Sequence, residues 1–245
     1  MLRKILKHTL QFLAERAIKK HPIKFIVVVG WYGTDLVKEG IYSVLSRKES
    51  IRRNTTKLWW DFSVPLIILG YKDTQRRIIR WLAMIIKTTY SLLANPKNPH
   101  TIVIDLNMAD HDTYHYWSQI ITPEIVVVTN YKNSRGELKV HELVDKTKLN
   151  GGTILVSPTI SDEAFEEFER YASLDFDTLE LTTEHKKFSF SSKVPRLVIE
   201  SYAPVISVAL ERGFSDDEII DCLAKLETLD HFTKKIHENL ELDAK

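Results

Sequence analysis

Four short runs of Val and Ile break the chain into a repeating pattern. "KFIVVV", "TIVIDL", "EIVVVTN" and "GTILVS" are apolar at nearly every position rather than at alternate ones. Such runs predict strands covered on both faces, as in a parallel sheet. Between them the apolar positions return every three or four residues, predicting helices over 34–45, 75–94 and 112–121. Strand and helix in alternation predict an α/β fold: a mostly parallel sheet flanked by helices.

Three further stretches extend this pattern. At the N-terminus, Leu2, Ile5, Leu6, Leu10, Leu13 and Ala17 share one helical face, with Arg3, Lys4, Lys7, Arg16 and Lys20 around it. This amphipathic helix, residues 1–22, either packs on its own domain or rests weakly on an anionic membrane surface. After Pro158 the pattern predicts an acidic helix over "SDEAFEEFERYAS", then a small antiparallel hairpin turning near Glu184 and His185. "RLVIESYAPVISVALERG" reads as a helix interrupted or kinked at Pro204 and stopped at Gly213 by a left-handed glycine. Ser215 and Glu218 form a capping box for the next helix. Residues 23–232 read as one domain and 233–245 as a polar tail.

Composition adds mainly exclusions. A net charge of +1 across 245 residues gives no reason to expect a nucleic-acid partner. The single cysteine, Cys222, falls on an apolar helix face and cannot form an internal disulfide, which fits a cytoplasmic setting. "WLAMIIKTTYSLLA" is too short to span a bilayer and is broken by Lys87. The basic run "RRNTTK" reads as solvated surface. His111 and His115 have zinc-ligand spacing, but the sequence offers no third ligand; the simpler reading has Asp110 or Asp112 capping a helix and the imidazoles facing solvent or backbone.

Candidate chemistry gathers where the first strand ends. Gly30-Trp31-Tyr32-Gly33-Thr34-Asp35 has the layout of a phosphate-binding loop opening a helix. In this loop and three later segments the chain resembles the central, ATP-binding domain of the Mur ligases, notably the D-alanyl-D-alanine-adding and cyanophycin-synthetase-like branch. That family's loop reads roughly Gly-Ser/Thr-x-Gly-Lys-Ser/Thr-Ser/Thr and often continues Thr-Lys-Glu. Here Gly30, Gly33, Lys38 and Glu39 match, Thr34 stands at the lysine position and Asp35 at that of the Mg²⁺-binding hydroxyl. "WWDFSVPLIILG" is similar to the family's "NNEIGVPLTLLG", with Trp59 and Trp60 at the paired asparagines and Ser63 at the glycine. "VIDLNM" followed by "PEIVVVTN" keeps Pro123, Thr129 and Asn130 and puts Asp105 at the metal-binding glutamate. "RLVIESYAPVISVALERGFSDDEIIDCL" is similar to the family's late helical stretch, with Ser201 at the asparagine near the nucleotide.

The resemblance implies a P-loop-like Mur ligase central domain. Its nucleotide site would be built from Gly30, Gly33, Thr34, Asp35 and Asn130, and Asp105 would hold the metal. The departures imply lost catalysis. Without the loop lysine, a triphosphate forfeits a charge-assisted hydrogen bond worth roughly 1.5–3 kcal/mol. The Asp35 carboxylate at about 4 Å would repel a phosphate charge by about 4 kcal/mol at an effective dielectric near 20. Lys38, which matches the family's own trailing lysine a turn further on, is not expected to replace the missing cation. The family's carbamylated lysine, due near His141, has no counterpart in the motif-free Lys139 and Lys146. Trp31, Tyr32, Trp59 and Trp60 would line the cleft, either plugging it or offering a binding surface.

The favoured expectation is a non-catalytic binding or scaffolding protein linked to cell-wall precursor synthesis. It would need no cofactor and would partner a Mur ligase or other cell-wall enzyme. The alternatives are an ATP- and Mg²⁺-dependent ligase or ATPase with an unorthodox loop, Asp35 and Asp105 holding the metal, and a peripheral membrane adaptor.

Overall fold

The computed structural model describes residues 2–30, 33–54, 61–71, 78–93, 99–107, 111–129, 137–160, 165–171, 173–175, 180–182, 187–189 and 196–227. Strand β1 (Lys24–Gly30) lies at the centre of a six-stranded sheet. On one side it pairs with β3 (Thr101–Asn107), which in turn holds β2 (Ile51–Arg53) at the edge. On the other side come β4 (Pro123–Val128), β5 (Thr153–Val156) and β6 (Glu169–Arg170). Every pairing in this sheet is parallel. The unbroken apolar runs are explained by burial on both faces. Phe25, Val27 and Val29 point into one core layer and Ile26 and Val28 into the other, all at 2% exposure or less.

One face is covered by α1 (Leu2–Lys20), α3 (Ser63–Leu69), α5 (His111–Ile120) and α6 (Glu137–Leu149). The other is covered by α2 (Thr34–Leu45), α7 (Arg196–Glu211) and α8 (Asp216–Glu227). Helix α4 (Ile78–Leu93) packs on α1 and α3 through Met84, Leu10 and Leu66. A separate antiparallel sheet joins β7 (Ser173–Asp175), β8 (Glu180–Thr182) and β9 (Lys187–Ser189).

The α/β fold with a mostly parallel sheet is as expected, as are the four Val/Ile strands. The predicted hairpin corresponds to the antiparallel pair β8–β9, in which Thr182 stands opposite Lys187. Gly213 ends α7 at φ 72°. The capping box forms as well: the Ser215 N–H donates to Glu218 Oε2 at 2.8 Å, and the Glu218 N–H donates to Ser215 Oγ at 3.4 Å. Cys222 is buried on α8.

Three expectations need correction. The acidic stretch after Pro158 is not a helix at 169–170, where β6 extends the sheet from β5. Phe165, fully buried, and Phe168 are drawn into the core, and that burial overrides the helix propensity of the glutamates. Helix α7 also runs unbroken through Pro204, held by Tyr202, Ala203, Val205 and Ile206, all buried. Strand β2 lies within a run read as solvated surface, yet Arg52 and Arg53 are half-buried. Arg52 Nη1 donates to the Ile67 and Ile68 carbonyls at 2.8 and 3.0 Å, capping the C-terminus of α3. Helix α1 packs on its own domain, the first of its two readings. Leu10, Leu13, Ala14 and Ala17 are buried, the Tyr116 hydroxyl donates to the Lys7 carbonyl at 3.1 Å, and Arg3 and Lys7 both reach Asp61.

Candidate functional site

The carboxyl ends of β1 and β4 adjoin at the middle of the sheet. From β1 the chain turns toward β2, and from β4 toward β5. A parallel sheet binds ligands at such a reversal. Gly30 closes β1, and Gly33 precedes α2 in the left-handed region, at φ 73° and ψ −4°. A Cβ on Gly33 would meet nothing within 4 Å, so its constraint is conformational and not steric crowding. The Val37 N–H donates to the Gly33 carbonyl at 3.1 Å, starting the helix. Trp31, Tyr32, Trp59, Trp60 and Asn130 lie outside the described residues.

Thr34 is buried, and Asp35 keeps 24% of its side chain exposed in the first turn of α2. The expectation that no cation stands near Asp35 is overturned. Lys38, one turn on, is 1% exposed. Its Nζ lies 2.7 Å from Asp35 Oδ1, 3.2 Å from Asp105 Oδ1 and 3.8 Å from Glu39 Oε1. A buried ammonium needs such partners, because desolvation without them would neutralise it. Burial acts to lower its pKa, but the attraction of Asp105, Asp35 and Glu39 outweighs it and the net shift is upward.

Asp105 enters this cluster from β3 and is 3% exposed. Asn54, just past β2, donates from Nδ2 to Asp105 Oδ1 and accepts the Asp105 N–H at 3.2 Å. Burial raises the Asp105 carboxyl to about 7, with Lys38 opposing the shift and Asp35 adding to it. Glu39 turns toward Arg53, whose Nε is 2.9 Å from Glu39 Oε2. The Arg53 guanidinium in turn lies 3.7 Å from the centroid of the Tyr42 ring. The site is thus a network of three acids, Asp35, Asp105 and Glu39, and two cations, Lys38 and Arg53, with Asn54 as its neutral member.

Sequence reasoning picked out Asp35 and Asp105 and missed Asn54, Arg53 and the role of Lys38. The Lys-Glu pair after the loop was the available signal: an aspartate three residues before a lysine can meet it on one helix face.

Asp35 and Asp105, the positions the resemblance assigns to Mg²⁺, do come together. The group between them is the Lys38 ammonium, and a divalent cation about 4 Å from it would be repelled by about 8 kcal/mol at an effective dielectric near 20. The donor set as arranged therefore does not fit Mg²⁺. Among the described residues no other group of three His, Cys, Asp or Glu side chains is placed to hold a metal ion.

The remaining candidates whose side chains are described have structural partners; Asp110 and the side chains of His111, Asp112 and Lys139 lie outside the described part of the structure. His115 Nδ1 lies 3.0 Å from Glu142 Oε1. Lys146 Nζ donates to the Ser118 carbonyl and, at 2.7 Å, to the Ile121 carbonyl, capping the end of α5. His141 stacks on Phe165 with ring centroids 5.2 Å apart. Ser201 is buried on α7. Thr129 Oγ1 donates to the Val29 carbonyl at 3.2 Å, joining the ends of β4 and β1.

The architecture is that of the Mur ligase central domain, a fold shared with the folylpolyglutamate synthases. The chain superposes on MurF from Acinetobacter baumannii with a TM-score of 0.60 and 16% identity, over 89% of this chain and 49% of that one. The MurF ligase from Thermotoga maritima in complex with ADP gives a TM-score of 0.60 at 14% identity, over 85% and 50%. A bifunctional folylpolyglutamate synthase/dihydrofolate synthase with Mn, AMPPNP and L-glutamate bound gives 0.53 at 12% identity, over 86% and 60%. The chain thus spans about half the length of the MurF chains it matches. No protein-family profile and no curated protein matches the sequence.

Proposed function

We infer that this chain is a non-catalytic, Mur-ligase-like protein of the cytoplasm. It serves as a binding or scaffolding component in cell-wall precursor synthesis, beside a Mur ligase or another enzyme of that process. The observation that carries this reading is the Lys38 ammonium, 2.7 Å from Asp35 and 3.2 Å from Asp105. An internal cation holds the two carboxylates that would otherwise take the metal, so the cluster stabilises the fold without a cofactor.

A second reading draws on the backbone alone. The left-handed Gly33 before α2 keeps the layout of an anion-binding turn, which favours an ATP-dependent Mur-type ligase or ATPase with an unorthodox loop. Thermal unfolding with and without millimolar MgATP separates the two. A nucleotide present at a hundredfold excess over its Kd adds about 2.7 kcal/mol, which in a chain of this size raises Tm by about 5–11 °C. The non-catalytic reading expects no rise. A rise of that size, lost in Gly33→Val, overturns it.

A further inference from the structure

The outer face of α4 is apolar and uncovered. Leu82, Ile86 and Tyr90 recur every fourth residue and are 57%, 70% and 73% exposed. At 1.5 Å per residue they form a line about 12 Å long. The opposite face of the same helix is fixed to the domain. Met84 and Thr88 are buried, Trp81 meets Phe62 edge-on with centroids 5.5 Å apart, and Thr88 Oγ1 donates to the Tyr71 hydroxyl at 3.1 Å. Leu82, Ile86 and Tyr90 are therefore held outward by a rigid inner face.

Helix α1 lies against α4 and shows the same combination. Its inner side is buried, while Ile5 and Phe12 are 53% and 55% exposed. The Arg16 guanidinium lies 5.2 Å from the centre of the Phe12 ring. The two helices are rich in basic residues. Helix α1 carries six Lys and Arg against the single acid Glu15, and α4 carries two against none. On a chain whose net charge is +1, the two helices hold a surplus of seven positive charges. Lys4, Lys19 and Lys87 are exposed.

We propose that the α1–α4 face is a docking surface for an anionic lipid bilayer. Leu82, Ile86 and Tyr90 enter the headgroup–acyl boundary, and the lysines and arginines of both helices lie over the lipid charges. Long exposed apolar side chains on helices that also carry exposed Lys and Arg, with an aromatic ring among them, are what an interfacial helix needs. A nucleic acid would call for the basic charge without the apolar line. No described helix is long and apolar enough to cross the membrane, so contact is with one leaflet. The inserting element is α4. Leu10, Leu13 and Ala17, on the face of α1 that an amphipathic reading would put into lipid, are already buried in the protein.

The test is cosedimentation of the full chain with vesicles of phosphatidylcholine alone and of phosphatidylcholine with phosphatidylserine. Binding should be at least tenfold stronger to the anionic vesicles and should weaken as salt rises. Ile86→Asp with Tyr90→Asp should lower it more than tenfold while Tm and the far-ultraviolet circular dichroism hold, since both sites are solvent-exposed. Lys19→Glu with Lys87→Glu should remove the preference for anionic lipid. Failure of the unaltered chain to bind anionic vesicles overturns the proposal, as does full retention of binding by the Ile86/Tyr90 variant. A wild-type dimer that the same variant converts to a monomer, without vesicle binding, assigns the face to self-association and also overturns it.

Discussion

Replacing Lys38 with methionine keeps an unbranched side chain, one heavy atom shorter, and removes its charge. Asp35, Asp105 and Glu39 then face one another without the ammonium that now lies 2.7, 3.2 and 3.8 Å away. Breaking a buried ion pair from one side costs about 3–5 kcal/mol. Repulsion between two carboxylates about 4 Å apart, about 4 kcal/mol at an effective dielectric near 20, is of the same size. Protonation relieves part of that cost. The Asp105 carboxyl already titrates at about 7, and without Lys38 to oppose the shift it moves further up. At pH 5.5 Asp105 is neutral in both proteins, so the loss should sit near the low end, about 3 kcal/mol. At pH 8.5 it should approach 5 kcal/mol, a fall in Tm of about 10–20 °C. Urea unfolding of both proteins at the two pH values measures this. Adding Asp105→Leu to Lys38→Met should recover much of the loss at pH 8.5, because an apolar replacement removes a buried charge left without its partner. A loss below about 1 kcal/mol at both pH values, or one independent of pH, would refute the reasoning.

Two further outcomes follow from the same structure. Asp105 has a folded-state pKa of about 7 against an ordinary 3.8, so between these values the folded chain binds a proton that the unfolded chain does not. Its contribution to stability is complete below about pH 4 and is lost as pH rises through about 7, on the order of 4 kcal/mol in all. Stability measured from pH 4 to 8 should fall more steeply in the unaltered protein than in Asp105→Asn, and equal slopes would count against this assignment. At Gly40 an added Cβ would come within 2.6 Å of Val205 Cγ2. Gly40→Ala should therefore cost about 1–3 kcal/mol by forcing α2 and α7 apart, despite alanine's better helix propensity, and a more stable variant would contradict it.

The sheet could be read from the chain because its strands are buried on both faces, so β1, β3, β4 and β5 appear as continuous Val and Ile runs. Strand β2 was hidden for a physical reason. It is three residues long, and two of them are arginines whose partners, the carbonyls ending α3 and the Glu39 carboxylate, are distant in sequence. The loop was legible as a strand–glycine–helix layout, and Asp35 and Asp105 as its acids. What the sequence did not carry was the direction of the Lys38 side chain. Position in a motif suggested a trailing residue, whereas burial of Asp105 from β3 and the i,i+3 placement of Asp35 turn the ammonium inward. Asn54 was illegible as well, since it lies in a basic run and its role depends on β2 pairing with β3.

The anchoring of α1 bears on how the molecule can be divided. Ala14 and Ala17 belong to the same core cluster as Trp117 and Ile120, and the Trp117 indole donates to the carbonyl of Asp61, the residue that Arg3 and Lys7 both reach. A fragment begun at Ile23 would bare this oily seam and strand an aspartate stripped of both cations. Trimming would then yield an aggregating remnant instead of a smaller working unit, so questions about the first helix are better put by exchanging single side chains on its outer surface.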